Sequence, residues 1–561
     1  MKLFAPHATD GYKLGHGGQD PKGLTMKYSN LTPRSNRLFV GATGYDGKMV
    51  VFGTQGAWQE IVELWDESFF ALPHDKAIAR YKRRVDGYVG PDVIPVDKMS
   101  ALHKLGYLPL SLRALPEGIR IPMKIPVLTL QNTHDDFGWL VNYLETIVSS
   151  SMWKSSTNAT IAYEYKRLLT SYAIQTGSPV EGVIFQGHDF SARGMSGPED
   201  AARSGAAHLA SGFVGTDTVS AADYVEDYYF ADSDKEFVAA TVPATEHAVS
   251  STNILVRERE LRLASDGIID DVQVRMIAER NFMRDLITIN HPKGIVSYVA
   301  DTYDYWAVIR SIVPSLKDVI MAREKDANGL AKLVIRPDSG DPVEIICGLR
   351  WQRIDNLRSF VLEADTEVID YKDKFYRFHL VDGVKDYIEL DEEVPDYIVK
   401  GSIECLWDTF GGTITSTGHR LLDEHIGLIY GDSITLKRAE AILEGLNQKG
   451  FASGNVVFGI GSYTYQMNTR DTFGTAMKAT AAVVNDDFIE VFKDPKTGNA
   501  LKKSAKGLLR VTEENGEYVL HDQQKWDEMH GADNLLREVW RDGKWLITTS
   551  LAEIRERLSI I

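Results

Sequence analysis

Leu333-Val334-Ile335-Arg336-Pro337-Asp338-Ser339-Gly340-Asp341-Pro342 is an apolar run that ends in an arginine, a proline-fixed turn, two carboxylates and a glycine. An apolar triplet that stops at a polar turn reads as a buried strand followed by a helix start. The same grammar recurs on both sides of it. Polar endings stand at Gly187-His188-Asp189, Gly215-Thr216-Asp217, Thr245-Glu246-His247, Ala300-Asp301, Gly431-Asp432-Ser433 and Gly459-Ile460-Gly461-Ser462. The candidate strands before them are Val183–Phe185, Gly212–Val214, Ala240–Val242, Ile295–Val299, Leu333–Ile335, Gly427–Tyr430 and Val456–Phe458, with helical patterns such as Val272–Ile289 and Ile434–Leu446 between. Alternation of this kind predicts an α/β fold, with parallel strands and crossover helices closing into a (β/α) barrel-like domain. Such barrels carry their chemistry at the C-terminal tips of the strands.

The barrel grammar occupies 181–485. Residues 1–180 and 486–561 mix helix and strand signals and are expected to form a second α/β domain. Ala57–Leu72 and Phe137–Trp153 have helical spacing; Gly118–Pro122 and Pro126–Leu130 read as short strands. The stretch 364–400 interrupts the barrel. Val368–Tyr371, Phe375–Leu380 and Asp386–Leu390 read there as an antiparallel insertion, and a basic loop follows at Lys502–Gly507.

Composition bounds the rest. The 561 residues are 43% hydrophobic and 25% charged, and only Cys347 and Cys405 are present, outside any metal-ligand spacing. No apolar run approaches the length of a membrane span, and the start lacks the apolar core of a signal peptide. A reducing cytoplasm is therefore the expected location. A net charge of −17 argues against nucleic acid and anionic membranes as partners. It leaves room for a small phosphorylated ligand held by local Arg, Lys and backbone N–H groups.

Among the tips, Arg336 with Asp338 suits a polyhydroxyl or metal-bound ligand, but also a capped turn with a local ion pair. Glu246-His247 offers a general base or phosphate acceptor. Asp217, Asp301 and Asp432 are each common turn residues, yet four acidic tips, a histidine and an arginine on one rim repel one another unless a cationic or polyhydroxyl ligand is bound. Gly461-Ser462 followed by Arg470 suits a phosphate cradle but lacks the third glycine of a dinucleotide fingerprint. Phe190 with Arg193 suits an aromatic heterocycle.

Taken in order, Thr9-Asp10-Gly11-Tyr12-Lys13, His188-Asp189-Phe190-Ser191-Ala192-Arg193-Gly194, Gly215-Thr216-Asp217-Thr218, Val242-Pro243-Ala244-Thr245-Glu246-His247, Ile335–Gly340 and Val491-Phe492-Lys493-Asp494-Pro495 resemble the nicotinamide phosphoribosyltransferase family of type II phosphoribosyltransferases. The resemblance implies transfer of 5-phosphoribosyl from phosphoribosyl pyrophosphate to nicotinamide, with ATP as co-substrate, Mg2+ as cofactor, and a homodimer with shared active sites. It places Phe190 and the partner's copy of Tyr12, in its Asp10-Gly11-Tyr12 motif, on either face of the pyridine ring. Asp217 would accept the carboxamide N–H, with Arg193, Arg336 and Ser297 around the ring and Val242, Val334 and Ile429 behind it. Asp338 and Asp432 would hold ribose hydroxyls, and Asp301 with Asp338 would lie at magnesium. Gly461 and Ser462 would meet the 5′-phosphate, while Arg34, Arg470, Lys478 and Lys493 grip phosphate and pyrophosphate. His247, beside Glu246, would be phosphorylated from ATP. The chain departs from the family at Ser462-Tyr463, at Ser191-Ala192 and in the insertion. Two other readings compete: a nicotinate phosphoribosyltransferase, and a non-catalytic nucleotide-binding protein on the same fold.

Overall fold

The computed structural model describes residues 3–264, 270–381, 387–493 and 505–559. Asp386, Asp494, Pro495 and Lys502–Ser504 of the motifs above lie outside the described residues.

Six strands form a parallel sheet: β1 (Gly187–Asp189), β2 (Gly215–Thr216), β3 (Val296–Val299), β4 (Leu333–Arg336), β5 (Ile426–Tyr430) and β6 (Val456–Ile460). Their spatial order is β2-β1-β6-β5-β4-β3. The two edges are joined by one extended segment, because Ala240 bridges Gly215 of β2 and Ala244 bridges Ser297 of β3, both parallel. Ala240-Thr241-Val242 thus occupies a strand position without a full ladder, and the sheet curls into the expected barrel.

Every strand stops at the same end because the registers align. Gly459 faces His188, Asp189 faces Thr216, and Val299 faces Arg336. Along β4, Leu333 and Ile335 are fully buried while Val334 and Arg336 are half-buried, the period-two alternation of a pleated strand. Leu333 and Ile335 join the main core, with Tyr298, Leu428, Tyr430, Phe458 and the helices outside the sheet. Helix Leu436–Gln448 shows why those helices form. Thr435 caps it by accepting from Arg438 N, and Leu436, Ala439, Ile442, Leu443 and Leu446 bury one stripe.

Two strand expectations are displaced. Val183-Ile184-Phe185 lies in a tight helical turn, Val180–Phe185, and the strand begins at Gly187. The ladder with β6 starts there, where Phe458 N donates to Gln186 O. Val183 is buried all the same, so an apolar triplet satisfies either conformation. Gly212–Val214 precedes β2 rather than forming it. The expected helix Phe137–Trp153 is broken at Leu144 into Gly138–Tyr143 and a much longer helix, Glu145–Thr176.

A second, antiparallel sheet of seven strands gathers remote segments. Leu24–Thr32 pairs on one side with Leu128–Asn132 and on the other with Ala476–Val484. Arg537–Arg541 and Lys544–Trp545 extend it beyond Leu110–Ala114. Between β4 and β5 a four-stranded sheet is built from Trp351–Arg353, Val368–Asp370, Phe375–Leu380 and Ile388–Val394, where the sequence signals an insertion. Arg377 of this sheet reaches Glu344, just beyond the Asp338–Asp341 turn. No helix among the described residues is long and apolar enough to cross a membrane.

Candidate active site

The rim at the C-terminal ends of β1 to β6 brings together most of the polar tips. Asp217 follows β2. It accepts from His188 Nε2 at 3.0 Å, and from the Thr241 hydroxyl on the segment that closes the barrel. Both donors use Oδ1. Burial raises the Asp217 pKa, but the His188 and Thr241 hydrogen bonds, with the charges of His188 and Arg336, outweigh it and hold the carboxyl below its ordinary value. A carboxylate with one oxygen engaged and 48% of its side chain exposed can accept an N–H from a ligand.

Phe190 lies across the tips of β5 and β6. A Cβ on Gly459 would come within 2.3 Å of its ring and one on Gly431 within 2.9 Å. Those two glycines therefore make the seat of the ring. Arg193 is exposed on the following turn. Ser462 rests its hydroxyl against Gly194, where an added Cβ would lie 2.1 Å away, whereas Gly461 opens onto free space. The open space over half-buried Gly461 lets an anion approach the backbone N–H groups of this turn closely.

Beyond β3 and β4, Asp301 accepts from Asp338 N at 3.2 Å and from the Ser339 hydroxyl at 2.6 Å, both on Oδ2. Its Oδ1 is buried without a hydrogen-bond partner. His247 begins an 18-residue helix, and its Nε2 stands 3.6 Å from that oxygen and 3.8 Å from Asp338 Oδ2. Thr302 contacts the other ring nitrogen at 3.5 Å. Glu246 is exposed beside it. Asp432, after β5, is exposed with Ser433 on its Oδ1. Burial raises the Tyr430 hydroxyl, and the charges of Asp432, Asp341, Asp338 and Asp301 push it further, so these carboxylates share one neighbourhood. Ser297 is buried on β3 and holds the closing segment through Pro243 O and Thr245 N; Val242 is half-buried there.

The free Asp301 oxygen beside Asp338 fits a hard divalent cation. Among the described residues no cluster of three His, Cys, Asp or Glu is preformed to hold one. Magnesium commonly takes one or two carboxylates and completes its shell with water and substrate phosphate oxygens.

A second cluster lies on the antiparallel sheet. Lys478 is pushed below its usual range by burial, opposed by Glu145, and then by the charges of Arg34, Lys493 and Lys13. Lys13 and Glu145 pair at 2.9 Å, and Arg34 donates to Gly474 O. Four cations therefore gather at Lys478, with the Glu145 carboxylate against Lys13 and Lys478. Arg470 is exposed, 3.9 Å from Asp471. Tyr12 is 66% exposed, with the His16 ring edge-on to it and Lys13 near its face; neighbouring Asp10 accepts from Thr146. A cavity of about 720 Å³ opens beside Tyr12, lined by Leu14, Ile94, Met99 and Trp139. It holds none of the rim carboxylates, so chemistry rather than size locates the site.

His188 and Ser339 stand within the tips without a role read for them there, and Thr241 stands outside every tip. Beneath them His208 is fully buried and accepts from Tyr465 OH on Nδ1, while its Nε2–H donates to Gly215 O; burial drives its pKa down to about 4. The tautomer follows from the carbonyl, which can only accept.

The model of the nicotinate phosphoribosyltransferase (NAPRTase) family matches residues 185–544. A nicotinamide phosphoribosyltransferase of Acinetobacter baylyi is 46% identical over 554 residues, covering 99% of this chain and 96% of that protein. One from Mycoplasma pneumoniae is 30% identical over 506 residues, covering 87% and 92%. Another, from Xanthomonas campestris pv. campestris, is 28% identical over 553 residues, covering 98% and 96%.

Proposed function

Because this chain belongs to the nicotinate phosphoribosyltransferase family, we propose that it transfers 5-phosphoribosyl from phosphoribosyl pyrophosphate to nicotinamide, yielding nicotinamide mononucleotide and pyrophosphate. The observation that carries the choice of base is Asp217. An ionised carboxylate accepts from a carboxamide N–H and repels a carboxylate. Two unit charges about 4 Å apart repel by about 4 kcal/mol at an effective dielectric near 20. Partial exposure of Asp217 lowers that figure, and a discrimination of about ten- to hundredfold against nicotinate is expected.

In the reaction the pyridine nitrogen attacks C1 of the ribose. The bond from C1 to the pyrophosphate oxygen breaks, and pyrophosphate leaves with the electron pair. No protein nucleophile is needed. Phe190, seated on Gly431 and Gly459, holds one face of the ring and so supplies orientation. Asp338 and Asp432 are positioned for ribose hydroxyls, and the Gly461-Ser462 backbone for the 5′-phosphate. Asp301 and Asp338 would hold magnesium, which when bound offsets charge on the departing pyrophosphate.

The cluster of Lys13, Arg34, Lys478 and Lys493, together with exposed Tyr12, supports a homodimer in which one subunit lends these groups to its partner's rim. His247 supports coupling to ATP. An imidazole nitrogen beside two carboxylates that would hold the cation can attack the γ-phosphorus of ATP and expel ADP. Water would later release phosphate from the ring nitrogen.

The direct test is product analysis with nicotinamide and phosphoribosyl pyrophosphate, with and without ATP. Formation of nicotinamide mononucleotide and pyrophosphate in equal amounts, faster with ATP, is expected. Product from nicotinate alone would overturn the choice of base.

A further inference from the structure

Asp189 is a fully buried carboxylate. Its three side-chain hydrogen bonds all come from donors: Ser191 N at 2.9 Å, the Thr218 hydroxyl at 2.7 Å and the Thr216 hydroxyl at 3.2 Å. Burying a carboxylate is costly unless its acceptors are filled, and neutral hydrogen bonds alone rarely repay it as a stability device. The positions of its donors suggest another use. Ser191 directly follows Phe190, the ring seat. Thr216 and Thr218 flank Asp217 on either side, and Asp217 N donates to the Asp189 carbonyl.

Thr218 makes the point sharply. It is the N-cap residue of helix Val219–Tyr229, a place where a threonine hydroxyl ordinarily accepts from the first turn. Here it makes no cap bond and donates to Asp189 instead. Thr216 also accepts from Thr218 N, closing the turn on itself. Below, the His208 imidazole holds Gly215 O. The Asp217 turn is therefore fixed from both flanks and from beneath.

We propose that Asp189 is a positioning residue for base selection: it locks the Asp217 carboxylate and the Phe190 ring into one geometry by tying Thr216, Thr218 and Ser191 together. This rests on the reading of Asp217 and Phe190 as the base pocket. Asp189 touches no reacting atom. It acts by fixing the distance between the stacked ring and the acceptor, and a displacement of about 1 Å can cost about a hundredfold in rate.

The chemistry of the partners says why the residue is an aspartate. Three donors converge on it, which suits a group with acceptors on both arms. Asp189→Asn turns one arm into a donor: toward Ser191 N it meets another donor, and toward the threonines it forces hydroxyls that now donate to turn and accept. Thr218→Val keeps shape and removes the shortest bond.

Both variants are measured with nicotinamide, nicotinate and varied phosphoribosyl pyrophosphate, alongside thermal melts. For Asp189→Asn the KM for nicotinamide should rise at least tenfold and the preference over nicotinate should shrink, with the KM for phosphoribosyl pyrophosphate within twofold of wild type. Thr218→Val should move both quantities in the same direction by about threefold, and it decides the matter if Asp189→Asn does not fold. Unchanged base KM and preference in Thr218→Val, or equal losses toward both substrates, would overturn the proposal. If the wild type itself prefers nicotinate, the choice of base proposed above fails. The clamp is then still judged by whether the KM of that base moves alone.

Discussion

The rim of the parallel barrel and the cluster on the antiparallel sheet are opposite in sign. Around the rim stand Asp217, Asp301, Asp338 and Asp432, with Arg336 and His247 between them. Around Lys478 stand Arg34, Lys13 and Lys493, with Glu145 set against them. A substrate that joins a polyhydroxyl sugar to several phosphates needs both surfaces. Carboxylates suit hydroxyls, an amide and a cation, whereas lysines and arginine suit phosphate oxygens. Separate construction keeps the charges from neutralising each other before substrate arrives.

The sharpest way to break this comparison is to remove one member from each side. Asp338→Ala is expected to lower kcat about a thousandfold with a normal melting curve, since it takes away a ribose contact and half of the cation site. Lys478→Ala should act chiefly on the KM for phosphoribosyl pyrophosphate, raising it about tenfold or more. Mixing the two impaired chains under conditions that exchange subunits, at phosphoribosyl pyrophosphate well below the raised KM, should give more activity than the two chains sum to apart, because each hybrid dimer retains one intact site. Failure of every mixture to recover activity would place rim and cluster of one chain at the same site.

A smaller effect is expected at His247. His247→Ala should abolish nicotinamide-stimulated ATP hydrolysis and leave synthesis that no longer responds to ATP, slower by about tenfold. Steady-state phosphate release and nucleotide formation, followed together, check it.

Smaller again is a pH effect on stability. His208 titrates near 6.5 when unfolded, but burial drives it to about 4 in the fold. Between those values the unfolded chain binds more protons, so stability falls as pH drops from about 6.5 to about 4, by about 3 kcal/mol at full extent. Above that window the group contributes nothing to the slope. His208→Gln should flatten the decline in denaturant midpoints across that range; an unaltered slope would assign it to other groups, such as His7, which burial also moves to about 4.

The two regions also differ in how far they could be read in advance. The rim was legible because each of its residues follows an apolar run, and a shared strand end needs no knowledge of pairing. Its inner partners were not. His188 meets Asp217 only because β1 lies beside β2, and Thr241 only because Ala240–Ala244 bridges both edges. Asp189 stands in the same motif as Phe190, yet nothing in spacing tells a buried clamp from a turn aspartate. The basic cluster was out of reach of local reading. It depends on Leu24–Thr32 pairing with Ala476–Val484, which sets Asn30 against Lys478 across 448 positions. The displaced start of β1 has a plainer cause: Val183-Ile184-Phe185 is as apolar as any strand, and the neighbouring ladder decides where extension begins.

The central claim is that the Asp217 carboxylate selects a neutral amide. The measurement that tests it most directly is the ratio of kcat/KM for nicotinamide to that for nicotinate, in wild type and in Asp217→Asn. The account predicts a wild-type ratio well above one that falls about ten- to hundredfold in the variant, with the KM for phosphoribosyl pyrophosphate little changed. A ratio that stays the same when the charge is removed would contradict it.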